Sequence, residues 1–176
     1  MVMPVALDDQ TGSKVLKINE SAGTSSFFQA SDFGREVYGR LLSQREAIEV
    51  KTTTIDEFAS RHQIEKIDLL KLDLQGNELA VINGASKMLA RGSIKCILCE
   101  IIFAPNYVLE SLSSRTIIEL MGKHGFHLFN FYQPNYHKGR LLQKDALFFH
   151  ESIIEEIHSK ADFVFHSHSS LLKTPR

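Results

Sequence analysis

Two nearly continuous apolar runs, residues 66–74 (KIDLLKLDL) and 94–103, dominate the chain's hydrophobic pattern. Runs of this length without alternation suit strands covered on both faces. Between them Leu79, Ile82, Ala85 and Leu89 share one stripe. That spacing predicts a single helix over residues 77–90, ended by Arg91-Gly92. Further on, Ile117, Leu120 and Met121 predict a helix over 113–124, closed by Gly125. Residues 126–132 and 146–150 read as strands joined by a long loop. Upstream, 3–7 is a short apolar run stopped by Asp8-Asp9, and 14–18 and 47–53 alternate as strands do. Residues 19–35 are rich in Ser, Gly, Phe and Thr, lack a period, and read as a long loop with at most a short helix. Thr54, with Glu57 three residues on, forms a capping-box pattern ahead of a helix over 55–62.

From residue 66 the order is strand, helix, strand, helix, strand, strand. Short connections between buried strands predict an α/β sandwich with a mainly parallel sheet, mixed at an antiparallel C-terminal hairpin. The organised part spans 1–151. In the tail, 152–176, Ile153, Ile154 and Ile157 extend a short helix, and the residues after Asp162 read as polar and loosely ordered.

Composition narrows the classes. The 176 residues fit one domain, with 43% hydrophobic and 23% charged residues, as in soluble globular proteins. The net charge of −1 provides no field to gather nucleic acid. No stretch approaches the roughly 20 apolar residues of a membrane span, and residues 1–9 lack the features of a signal peptide. Two Cys cannot form a disulfide framework, so the expectation is a reduced, cytoplasmic protein. Cys96 and Cys99 have redox spacing but fall within a predicted strand, where residues three apart face opposite ways, so they read as core. His158, His166 and His168 match no familiar metal pattern and read as a solvated tail; no metal is expected.

The segment with candidate chemistry is Lys71-Leu72-Asp73-Leu74-Gln75-Gly76-Asn77-Glu78, where a buried strand passes into a helix. In open α/β sheets ligands bind outside the carboxyl ends of strands, which puts Asp73 at the mouth of a cleft. Gly76 permits a sharp turn or close approach of a ligand. Glu78 stands in the first helical turn, and Glu100 ends the next strand beside Asp73. Adjacent carboxylates could accept protons or hold a hydroxyl. The bland alternative is that Asp73 and Glu78 only cap the helix, or that a carboxylate pairs with Lys71 or Arg115.

These residues resemble the FkbM family of S-adenosylmethionine-dependent methyltransferases. The similarity lies in Thr52-Thr53-Thr54-Ile55-Asp56-Glu57-Phe58, Ile67 through Glu78, and Val81-Ile82-Asn83-Gly84-Ala85. Ala6-Leu7-Asp8-Asp9, Ser25-Ser26, Glu100, Gly125-Phe126 and Asp145-Ala146-Leu147-Phe148 extend it. The resemblance implies a Rossmann-like methyltransferase sandwich with strand order 3-2-1-4-5-7-6, in which 3–7 is the third strand, 66–74 the fourth and 94–103 the fifth. It implies methylation of a hydroxyl on a small molecule or glycan. Asp73, Glu78 and Glu100 are then the catalytic candidates, and Leu7, Asp8, Asp73, Gln75 and Gly76 the candidates for holding S-adenosylmethionine. Two departures stand out. The family's first two strands and Gly-rich loop have no counterpart here, so the chain reads as N-terminally truncated, with an exposed strand edge that favours pairing between copies. Gln75 replaces the family's Glu and cannot act as a base. Both departures support a rival reading, a non-catalytic α/β scaffold or interaction module.

Overall fold

The computed structural model describes residues 2–108 and 114–154. The expected loose tail, with His158, His166 and His168, lies outside the described residues. Among the described residues seven strands form two sheets: β1 (Ala6–Leu7), β2 (Gly12–Asn19), β3 (Gln44–Thr53), β4 (Ile67–Leu72), β5 (Ile94–Ile102), β6 (Phe126–His137) and β7 (Arg140–His150). The helices are α1 (Asp32–Tyr38), α2 (Ile55–Arg61), α3 (Glu78–Asn83), α4 (Ser86–Ala90) and α5 (Ser114–Lys123). No helix among the described residues is long and apolar enough to cross a membrane.

One sheet has the order β1-β3-β2, the other β4-β5-β7-β6. The second order coincides with the 4-5-7-6 part of the expected arrangement. The expectation of a mainly parallel sheet is corrected, because both sheets are mixed. Only β1 with β3 and β4 with β5 run parallel, while β2–β3, β5–β7 and β6–β7 are antiparallel. The helical crossover from β4 to β5 returns the chain in the same direction. The last two strands are joined by a two-residue turn instead of a long loop. Lys138 and Gly139 both take positive φ, 47° and 77°, the backbone that a tight hairpin turn requires. Pro134 is tolerated in β6 because that strand is an edge and bulges between Tyr132 and Asn135.

The predicted helix over 77–90 is two helices. The break at Gly84 is a tertiary effect: a Cβ there would lie 2.2 Å from the Asp8 carbonyl oxygen, and the Gly84 carbonyl accepts from the Asp56 N–H. Asp56 then starts α4, accepting from the Lys87 and Met88 amides at 2.7 and 2.9 Å. Thr54 caps α2 through the Glu57 N–H, but the Glu57 carboxylate bonds Thr11 and Arg61, leaving the capping box half formed.

The main core lies between β4, β5, β7 and the helices α2–α5, with Leu72, Val81, Met88, Ile97, Ile101, Ile117 and Phe148 buried. β4 is covered on one face only, contrary to the reading from its apolar run. It is an edge strand, and Leu69 is 57% exposed. The segment expected to be a long loop with at most a short helix leads into the short α1, started by Ser31, whose hydroxyl accepts from the Gly34 N–H. It packs through Ala30, Phe28, Tyr38 and Leu42 on Ile102 and Tyr107, at the carboxyl end of β5. This cover brings residues 19–43 against the Asp73–Asn77 turn.

Candidate functional site

β4 and β5 are in parallel register with Leu72 opposite Cys99, so Asp73 and Glu100 emerge side by side at their carboxyl ends. Both line an open cleft of about 430 Å³, together with Lys71, Gln75, Gln133, Gln143, Lys144 and Asp145. Asp73 has a side chain 44% exposed, and its carboxylate accepts from Lys71 Nζ at 2.9 Å and from Gln75 Nε2 at 3.1 Å. Glu100 is only 6% exposed. Its Oε1 accepts from Gln143 Nε2 at 2.6 Å and its Oε2 from Gln75 Nε2 at 3.2 Å. Burial, then the negative charges of Glu78, Asp73 and Asp145, push the Glu100 carboxyl up to about 8, against a smaller opposing pull from Lys71.

Glu78 does not join them. It is 1% exposed and its carboxylate folds back on the turn, accepting from the Leu74 N–H at 2.8 Å and the Gly76 N–H at 3.0 Å. Burial raises its pKa, and the turn's own amides oppose that rise. Both Glu78 oxygens thus face backbone amides of the turn, and the residue is not among those lining the cleft. The turn it closes is sharp: Gln75 and Gly76 have φ of 53° and 105°, backbone that glycine adopts freely and glutamine rarely. The Ser26 hydroxyl donates to the Gln75 carbonyl at 2.8 Å and steadies that conformation.

Leu7 and Asp8 stand apart from the cleft. Leu7 lines an apolar trough of about 270 Å³ with Met3, Val5, Phe58, Ile64, Ile67 and Leu70. Its carbonyl accepts from Asn77 Nδ2 at 3.1 Å. Asp8 is 1% exposed and engaged inside the protein, with Lys14 Nζ at 2.5 Å and Asn77 Nδ2 at 3.4 Å. Cys96 and Cys99 sit in β5, half-buried and buried, and burial raises both thiols. Among the described residues no group of three or more His, Cys, Asp or Glu is placed to hold a metal ion.

Sequence reasoning missed Tyr38 and Gln143. Tyr132, Tyr136 and His137 lie in β6. Tyr107 is buried, its hydroxyl pushed upward by burial and by Glu100. It stands 2.9 Å from Gln75 Oε1. No local signal marks Tyr38 and Gln143, because they meet only through the fold.

A family model described as Methyltransferase FkbM domain matches residues 1–128. The chain belongs to this family. The match contains Asp73, Gln75, Gly76, Glu78 and Glu100, while Asp145, the third carboxylate of the cleft, lies beyond it. No curated protein and no solved structure matches it.

Proposed function

We propose that this FkbM domain is an S-adenosylmethionine-dependent methyltransferase acting on a hydroxyl of a small molecule or sugar, with Glu100 as the base. The observation that carries this reading is Glu100 itself, shielded from water yet lining an acidic cleft, with its carboxyl pushed up to about 8. A carboxylate held at such a value is a stronger base than an ordinary one, and it titrates near neutral pH.

The residues present fit the methyl donor at its reactive end. Asp73, Glu100 and Asp145 line the cleft, and carboxylates in a partly desolvated site favour a positively charged group. Asp73, Gln75 and Gly76 are the residues that would hold S-adenosylmethionine. When bound, it supplies an electrophilic methyl group on a cationic sulfur. Glu100 accepts a hydrogen bond from the acceptor hydroxyl and takes its proton. Lys71, Lys144, Gln133 and Gln143 add donors around the same space, a lining that suits a polyhydroxylated acceptor better than an apolar one. The cleft volume falls in the range of small-molecule sites, roughly 300–1,000 Å³.

The test is methyl transfer from radiolabelled S-adenosylmethionine to a panel of monosaccharides and small alcohols between pH 6 and 9. Transfer should rise through about pH 8, the value Glu100 is given, and vanish in Glu100→Gln while donor binding persists. Donor binding without transfer to any acceptor supports the scaffold reading instead.

A further inference from the structure

Glu100 is gripped by two primary amides, and each amide has its own oxygen held by a tyrosine. Gln75 presents Nε2 to both Asp73 Oδ1 and Glu100 Oε2, at 3.1 and 3.2 Å. Its Oε1 lies 2.9 Å from the Tyr107 hydroxyl, whose single proton is shared with the Thr24 carbonyl at 3.0 Å. Gln143 presents Nε2 to Glu100 Oε1 at 2.6 Å. Its Oε1 accepts from the Tyr38 hydroxyl and from Asn106 Nδ2, both at 3.3 Å. An amide has one donor end and one acceptor end. The carboxylates, which only accept, turn the NH₂ ends toward Glu100, and each tyrosine hydroxyl sits at the oxygen end.

We infer that Gln75 is a positioning residue for Glu100: its amide, held at its oxygen end by Tyr107, keeps the Glu100 carboxylate in the cleft jointly with the Gln143 amide held at its oxygen by Tyr38. The inference rests on the reading of Glu100 as the base. An amide suits this position physically. A carboxylate at position 75 would stand against Asp73 and Glu100 with no proton to offer either, whereas the amide satisfies both. The left-handed backbone at Gln75, held by the Ser26 hydroxyl, is a local strain that aims this side chain.

The charged and titratable groups around Glu100 are Lys71 and Asp73 from β4 and its turn, the Cys99 thiol of β5, Glu78 from α3, Lys144 and Asp145 from β7, Tyr38 from α1, and Tyr107. The two amide donors favour the ionised form of Glu100 against burial and against the combined field of the three acidic neighbours. Removing either donor therefore raises its pKa.

The experiment is carbon-detected NMR titration of the Glu100 carboxyl in the full chain, in the wild type and in Gln75→Leu, Gln75→Glu, Gln143→Leu and Tyr107→Phe. Loss of one amide bond to a charged acceptor predicts a rise of about one to two pH units in Gln75→Leu and Gln143→Leu. Gln75→Glu should raise it at least as far, and Tyr107→Phe in the same direction by less. A Glu100 titration unmoved by Gln75→Leu and Gln75→Glu overturns the inference. If the Leu variants fail to fold, Gln75→Glu and Tyr107→Phe, which keep the side chain's size, decide it by the same measurement. The titration needs neither donor nor acceptor. A shift without S-adenosylmethionine binding to the wild type leaves the amide clamp standing and sinks the methyltransferase reading; binding without a shift does the reverse.

Discussion

Replacing Glu100 with Gln should remove a pH-dependent burden on the fold. The carboxyl rises from an ordinary 4.5 to about 8 in the folded chain, an interval of about 3.5 pH units (8 less 4.5). The folded state therefore holds more protons than the unfolded chain between those values, and stability is lost as pH rises through them and levels off above about 8. At about 1.4 kcal/mol per pH unit, the loss reaches at most about 5 kcal/mol. Glutamine cannot ionise, so Glu100→Gln lacks this slope. The new amide, however, meets the Gln75 and Gln143 NH₂ groups and leaves one donor without an acceptor, destabilising by about 1–3 kcal/mol at every pH. The wild type should be the more stable protein at pH 5, and the variant should overtake it by pH 8. Urea unfolding followed by far-UV circular dichroism at pH 5 to 9 measures this, since the chain has no Trp. Ionisable groups remote from the cleft contribute alike to both proteins and cancel in the difference. Parallel stability curves for the two proteins would refute the claim that burial and carboxylate neighbours raise Glu100.

Gly84→Ala places a methyl group within 2.2 Å of the Asp8 backbone, which only a shift of main chain can relieve; thermal unfolding should show a loss of at least about 3 kcal/mol. Glu78→Ala strands the Leu74 and Gly76 amides, for a predicted loss of about 2–4 kcal/mol in urea titrations. Because Glu78 serves the turn and not the cleft, the remaining folded fraction should still bind the methyl donor. Asp56→Ala removes the acceptor for the first amides of α4 and should destabilise by about 1 kcal/mol, read as a lowered denaturation midpoint.

Hydrophobic periodicity located β4, β5 and α5 because their side chains face a core that repeats with the element's own period. It failed where a single tertiary contact decides. The stripe Leu79-Ile82-Ala85-Leu89 continues across Gly84, so nothing local announces that the Asp8 carbonyl splits the helix there. The short helix allowed in residues 19–35 could not be placed for a similar reason. Gly34 reads as a breaker, yet it fits beneath Asn106, where a Cβ would meet that backbone at 2.1 Å. Gln133-Pro134-Asn135 imitates a turn, and only the edge position and bulge of β6 make it strand. In the site, the register of β4 and β5 made the neighbourhood of Asp73 and Glu100 legible. Asp73 and Glu78 could not be told apart in sequence, since both are carboxylates flanking one turn. Their roles part according to which way the strained Gln75-Gly76 backbone turns each side chain. Gln143 and Tyr38 come from distant elements and converge on Glu100 only in the folded chain.

Titration calorimetry of S-adenosylmethionine into the full chain, beside Asp73→Ala, probes the cleft most directly. The account predicts saturable one-to-one binding to the wild type and affinity weakened at least about tenfold in the variant, the loss of one charge–charge contact of about 1.4 kcal/mol, with the unfolding transition retained. Binding of equal strength in both proteins, or none in the wild type, would contradict the placement of methyl transfer at the turn after β4.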